Sequence, residues 1–327
     1  MTRKPKIAAI GECMIELSGS AQFGSSMHLS FGGDTLNTAV YATMMGASVS
    51  YVTALGDDIY SQAMLREWER LGVGTERVAR LKGRLPGLYL INNNARGERF
   101  FHYWREQAAA RRLLADPDAA CVLSGFDGFD ALYLTGITLS ILDTDSLDRL
   151  EVILQNEKKA GVQVVFDTNY RPRGWPTPAA ARKCFERFQP LFDTVLPSVE
   201  DEQGLYGESV DVAHIIERYR SGGTSEIVVK NGSRPTTVYW NGEVATVAPE
   251  YLEKPVDTTA AGDAFNGAYI AARLQRVPPP RAARIGNLCA SGVIRHQGAI
   301  VPPAAVQRAC EELRKYLLSN SQTYPTT

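Results

Sequence analysis

The sequence predicts an α/β protein in which a mostly parallel β-sheet is covered by helices on both faces. Strand-like and helix-like segments alternate along most of the chain, which is the pattern of crossover units. The strand-like runs, such as Ile7-Ala8-Ala9-Ile10, are apolar throughout, as strands buried on both faces must be. Glycine-rich and small polar segments follow several of these strands, at the carboxyl ends where open α/β sheets hold their ligands.

In order, Lys6 to Gly11 reads as a buried strand, and Glu12 to Ser18 continues in a more alternating pattern. The segment Phe31-Gly32-Gly33-Asp34-Thr35-Leu36-Asn37 opens a helix that runs through Met45 and stops at Gly46. Val49 to Leu55 is strand and Ser61 to Leu71 helix. Leu88 to Asn92 and Glu98 to Trp104 flank the turn Asn93-Asn94-Ala95-Arg96-Gly97, so they form an aromatic-rich hairpin that interrupts the crossovers. Alternation resumes with strand Ala131 to Thr135, helix Thr144 to Ala160, strand Gln163 to Asp167, helix Ala179 to Gln189 and strand Thr194 to Leu196. Helices at Glu200 to Tyr206 and Val212 to Arg220 precede strand Glu226 to Lys230. Thr236 to Trp240 and Glu243 to Val247 are joined by Asn241-Gly242, the residue pair of a type I′ hairpin. Three helices close the chain, Ala261 to Leu274, Ala282 to Arg295 and Pro303 to Leu318, and residues 319–327 read as a polar, frayed tail. With no internal repeat or low-complexity linker, residues 1–318 read as one domain.

The 327 residues can bury a large core, and 44% hydrophobic with 22% charged residues is the balance of a globular protein. A net charge of -1 gives no electrostatic case for nucleic acid or an anionic membrane. No 18-residue apolar run occurs, and the N-terminus passes into a strand without a signal-peptide core, so a cytoplasmic location is expected. The five cysteines are scattered without C-x-x-C, which marks them as reduced packing residues, and the four histidines lack metal-ligand spacing.

The most informative stretch is Asp257-Thr258-Thr259-Ala260-Ala261-Gly262-Asp263, a small polar loop that runs into the helical segment Ala264 to Leu274. Such a loop leaves backbone N–H groups free at a helix start, where the helix dipole favours an anion. Asp263 places a carboxylate beside that anion, an arrangement suited to phosphoryl transfer. Taken alone, the loop reads first as an ordinary Asp cap on a buried helix. The common nucleotide and hydrolase fingerprints, G-x-x-x-x-G-K-[ST], G-x-G-x-x-G and G-x-S-x-G, are missing.

Gly32-Gly33-Asp34-Thr35-Leu36-Asn37 near one end and Asp257 to Asp263 near the other together resemble the two signatures of the ribokinase-like (PfkB) carbohydrate kinases. The resemblance spans essentially the whole chain. Ile10 to Leu17, Leu85 to Tyr89, Tyr103-Trp104-Arg105 and Asn169-Tyr170-Arg171-Pro172-Arg173 are more closely similar to the branch that phosphorylates 2-keto-3-deoxygluconate. This implies a ribokinase-like three-layer α/β/α sandwich with a small β-sheet lid from about residues 12–30 and 85–105. It also implies ATP and Mg2+ as cofactors. An exposed aromatic-rich sheet of this kind needs a partner surface, so a homo-oligomer through the lid is expected.

By the same resemblance Asp263 is the general base toward a sugar hydroxyl, and the N–H groups of Ala260, Ala261 and Gly262 hold the phosphate charge. Family members often carry Gly at position 260; the backbone donor survives as Ala, whose dihedrals are expected to suit it. Gly33, Asp34 and Asn37 would meet substrate hydroxyls. Tyr89, Tyr103, Arg105 and Arg171 would grip a carboxylate, which an uncharged sugar does not require. The loop Lys230-Asn231-Gly232-Ser233, Ser198 and Asn287, with Ala260 and Gly262, would face the nucleotide, although Asn287 reads equally as a solvated helix position. Ser198-Val199-Glu200-Asp201 stands in place of the family's N-x-x-E, with Ser for Asn and Asp for Glu. That leaves Asp201 as the magnesium residue, acting through water. Two other readings stay open: a kinase of the same family acting on fructose, ribose or 5-keto-2-deoxygluconate, and a non-catalytic sugar-acid-binding protein. The retained Asp263 weighs against the latter.

Overall fold

The computed structural model describes residues 3–20, 22–93, 99–123, 125–250 and 252–321. Its strands are β1 (Lys6–Ile10), β2 (Met14–Gly19), β3 (Met27–Gly32), β4 (Ser48–Gly56), β5 (Val78–Leu81), β6 (Leu88–Asn93), β7 (Arg99–Trp104), β8 (Ala131–Thr135), β9 (Gln163–Asp167), β10 (Thr194–Val195), β11 (Glu226–Val229), β12 (Thr236–Trp240) and β13 (Glu243–Val247). Nine of them form one sheet in the order β13-β12-β11-β10-β9-β8-β1-β4-β5. Every pair from β11 to β5 is parallel, and β12 and β13 add an antiparallel hairpin at the edge. Asn241 and Gly242 turn that hairpin at φ 48° and 90°, as a type I′ turn requires.

The apolar strand runs have the reason the sequence suggested. Ile7 and Ala9 of β1, with Val49, Tyr133, Val165 and Val228, pack under helices Asp34–Met44, Ala261–Leu274 and Pro279–Val293. Ala8 and Ile10, with Val52, Leu132, Phe166 and Ile227, pack under helices Thr144–Lys159, Pro178–Phe188 and Val212–Ser221. Successive strand residues point to opposite faces, so each strand feeds both cores and the molecule has three layers.

A second sheet runs β3-β2-β6-β7, with β2 parallel to β6 and the outer pairs antiparallel. Three residues separate the end of β1 from the start of β2, so this sheet grows directly from the carboxyl edge of the large one. β3 and β5 were not legible as strands in the sequence. The last helix, Gln307–Ser321, continues past Leu318 and takes in part of the expected polar tail. Residues 322–327 and the expected hairpin turn at 94–97 lie outside the described residues.

Candidate active site

The strand order reverses at β1, with β8 on one side and β4 on the other, and the polar residues gather at the carboxyl ends around this point. Two helix N-termini converge there. Helix Asp34–Met44 begins at Gly33, where a Cβ would come within 2.4 Å of the Glu12 carbonyl oxygen, so the close approach requires glycine. Helix Ala261–Leu274 packs on it through Gly267, where a Cβ would meet the Thr38 carbonyl at 2.5 Å. This tight contact brings Asn37 to Asp263: Asn37 Nδ2 donates to Asp263 Oδ2 at 2.9 Å, and the Thr38 hydroxyl donates to the Asp263 carbonyl at 3.3 Å.

Burial pushes the Asp263 carboxyl up to about 7, the Asp34 carboxylate adds to the rise, and the Asn37 hydrogen bond opposes it. Asp34 accepts from the Thr135 hydroxyl at 2.6 Å and from Asn169 Nδ2 at 2.8 Å. Its carboxyl is also raised by burial, against these hydrogen bonds.

In the loop before the helix, Asp257 accepts the Thr259 N–H at 3.0 Å, the Thr259 hydroxyl at 2.7 Å and the Gly298 N–H at 3.0 Å. The N–H groups of Ala260 and Gly262 make no hydrogen bond among the described residues, whereas that of Ala261 reaches the Thr258 carbonyl at 3.2 Å. Two of the three expected anion donors are therefore open. One expectation is corrected: Ala260 has φ 60° and ψ 13°, left-handed dihedrals that suit glycine rather than alanine.

The two candidate carboxylate-binding arginines already have partners. Arg105 pairs with Glu12, a buried carboxylate, and lies beside the Tyr103 ring. Burial raises the Glu12 carboxyl while Arg105 lowers it, and among the described residues Glu12 Oε1 and Arg105 Nε have no hydrogen-bond partner. Arg171 bonds Asp201 at 2.9 Å and its neighbour's carbonyl at 2.8 Å, with its side chain 56% exposed. Tyr89 donates to Glu16, which also accepts from Ser30, and its ring lies 5.9 Å from that of Tyr103. Glu16, Tyr89 and Phe101 of the small sheet face Asp257, Thr259 and Gly298 across a cleft of about 950 Å³.

On the other side, Asn231, Gly232 and Ser233 form a surface turn after β11. The Lys230 side chain turns inward instead, to Asp167 Oδ2 at 2.9 Å and Asn266 Oδ1 at 3.1 Å. Ser198 caps helix Val199–Tyr206 by accepting the Asp201 N–H at 3.0 Å. Asn287 is buried, not solvated: it accepts from Thr236 at 3.1 Å and donates to the carbonyls of Val247 and Ala248. Asp201, expected to reach magnesium through water, is held by Arg171. Among the described residues no three His, Cys, Asp or Glu side chains cluster as a metal cage.

Sequence reasoning missed Glu12, Glu16, Thr135, Asp167, Asn169 and Asn266 as members of this site. The available signal was a polar residue inside an apolar element: Asp167 ends Val164-Val165-Phe166, and Asn266 interrupts the buried run from Ala264 to Ala272.

An aspartate beside open N–H groups at a helix start, at the carboxyl edge of a mostly parallel sheet, is an arrangement suited to phosphoryl transfer. Residues 4–305 match the pfkB family carbohydrate kinases, and the chain belongs to that family. It is 42% identical to 2-dehydro-3-deoxygluconokinase of Dickeya dadantii over 94% of this chain and 99% of that protein. It is 41% identical to 2-dehydro-3-deoxygluconokinase of Escherichia coli K12 over 92% of this chain and 98% of that protein. The solved 2-dehydro-3-deoxygluconokinase of Thermotoga maritima shares the fold, with a TM-score of 0.82 at 23% identity over 94% of this chain and 99% of that one. No helix among the described residues is long and apolar enough to cross a membrane.

Proposed function

We propose that the protein transfers the γ-phosphoryl group of ATP to the C6 hydroxyl of 2-keto-3-deoxygluconate, the compound also called 2-dehydro-3-deoxygluconate. Identity near 40% to enzymes named for that activity, over nearly the whole chain, carries this reading. Asp263 takes the proton of the attacking hydroxyl. Its raised pKa makes it a better proton acceptor than an ordinary aspartate while leaving it ionised above neutral pH. Asn37 fixes the carboxylate, and the open N–H groups of Ala260 and Gly262 offer donors to the transferred charge.

Arg105 and Arg171 are proposed to bind the substrate carboxylate, with Tyr89 and Tyr103 lining the sugar side and Gly33, Asp34 and Asn37 meeting hydroxyls. The turn Asn231 to Ser233, Ser198 and Asn287 are proposed to lie along the nucleotide. Magnesium enters with ATP and retains its waters. A cytoplasmic homo-oligomer, joined through the small sheet, completes the reading.

Substrate choice is tested by charge. Arg105→Ala would strand the buried Glu12 carboxylate, so the informative variants are Arg105→Lys, which keeps the charge and loses the planar fork, and Arg171→Ala. Loss of one charge-assisted hydrogen bond costs about 1.5–3 kcal/mol, roughly a tenfold to hundredfold fall in kcat/KM. Wild type should prefer the sugar acid over fructose, and both variants should lose most of that preference with the KM for ATP unchanged. Acid selectivity that survives in both variants rules out the assignment.

A further inference from the structure

The ammonium of Lys230 turns inward, away from the surface turn that the residue begins. Its side chain is 12% exposed and lies against Asp167, which is 4% exposed. Asp167 Oδ2 also accepts from Asn266 Nδ2 at 2.6 Å, and Asn266 returns its oxygen to Lys230 at 3.1 Å, closing a three-member ring of hydrogen bonds. Asn266 also donates to the Tyr133 hydroxyl at 3.2 Å, which accepts from Thr38, the residue that holds the Asp263 carbonyl. Residues from β8, β9, the end of β11 and both converging helices thus fix one ammonium relative to the proposed base.

The position of that ammonium is what distinguishes it from a structural ion pair. A Cβ built on Gly262 would have Lys230 Nζ, at 3.7 Å, as its nearest neighbour, so the cation borders the residue whose N–H is open. An ammonium has three donors and the two recorded bonds use two of them. Asp263, Asp34 and Asp201 lie around the same region, so an incoming polyanion meets carboxylates on several sides. Arg171 and Lys230 are both set among them, and Lys230 is the one that borders Gly262 at the helix start.

We infer that Lys230 contacts the terminal phosphoryl group of ATP during transfer, and that Asp167 and Asn266 are the positioning residues that hold its ammonium there. The inference rests on the kinase reading above, not on which sugar is the acceptor. As the new O–P bond forms, the bond from the γ-phosphorus to the bridging oxygen breaks and its electron pair leaves with ADP. The hydroxyl proton goes to Asp263, and Lys230 keeps its own, acting as fixed charge.

The test compares binding of ATP and ADP, each with magnesium and without sugar, by titration calorimetry in wild type and Lys230→Met. Loss of a terminal-phosphate contact should weaken ATP about tenfold or more and leave ADP within about twofold, with kcat lower by roughly 10²-fold. Lys230→Met leaves Asp167 buried without its cation. The double variant Lys230→Met with Asp167→Asn removes both charges and should show the same ATP-specific loss in a folded protein. Asn266→Ala keeps the cation but frees it, and should lower kcat while sparing ADP affinity. Equal losses for ATP and ADP in the folded double variant, or no loss for either, overturn the inference. An ATP-specific loss in the variants, with a wild type that fails to phosphorylate the sugar acid, overturns the substrate reading instead.

Discussion

Asp263 carries the sharpest conflict between stability and activity. Burial and the Asp34 carboxylate raise its pKa from the ordinary 3.8 to about 7, so the folded state holds a proton that the unfolded state releases across that interval. Stability contributed by this group is therefore full below pH 3.8, falls as pH rises toward 7 and is absent above it. Asp263→Asn removes the ionisable group and keeps its shape. It should raise Tm at pH 8 and change it little at pH 4, while lowering kcat by about 10²–10⁴-fold. In wild type, kcat/KM should fall as pH drops below about 7, because the protonated carboxyl cannot accept a proton, and the Asn variant should lack that limb. Thermal unfolding at the two pH values decides the point: an equal Tm change at both would mean that the carboxylate is not strained by its surroundings.

At the scale of elements, the junction between loop and helix holds strain at Ala260. A left-handed alanine costs roughly 1–2 kcal/mol, and glycine avoids that cost at the expense of a more flexible unfolded chain. Ala260→Gly is therefore expected to gain about 0.5–1 kcal/mol, read as a higher urea midpoint at unchanged m-value, with turnover retained. A lower midpoint would show that the surrounding loop has relaxed around alanine. Continuous apolar runs were the most legible: β8 and β9 have the boundaries their sequences predicted, and β1, β4 and β10 differ from theirs by one residue at one or both ends, because burial on both faces leaves little ambiguity. β5 has four residues at a sheet edge, and β3 has a mixed run containing His28 and Ser30, so neither shows a clear period. The same contrast holds in the site. The Asp257 to Asp263 loop is contiguous and could be read directly. The partners Glu12 and Arg105 lie 93 residues apart, and Asp167 and Asn266 lie 99 apart, so only folding makes them pairs.

The whole molecule has two kinds of surface on its small sheet, and they explain why a second copy is its proposed partner. The register aligns Glu16, Ser30, Tyr89 and Tyr103 on the face toward the cleft, and Leu17, Leu29, Leu90 and His102 on the opposite face. On β3 and β7, Leu29 is 52%, Phe100 45% and Trp104 60% exposed. Among the described residues these two strands are also the sheet's edges, with one side of each backbone not paired with another strand, so apolar surface and open hydrogen-bonding groups coincide. Pairing two lids would cover both and hold each sheet over its own sugar cleft. The turn proposed for the nucleotide follows β11, four positions from β1 across the large sheet, and would be untouched. Light scattering after size exclusion should give wild type twice the mass of one chain, and the double variant Leu29→Glu with Phe100→Glu the mass of one. Because the lid is then unsupported, the KM for the sugar acid should rise severalfold while the KM for ATP stays constant. A wild type that elutes with the mass of a single chain, or a charged variant that remains paired, would place the contact elsewhere or remove it.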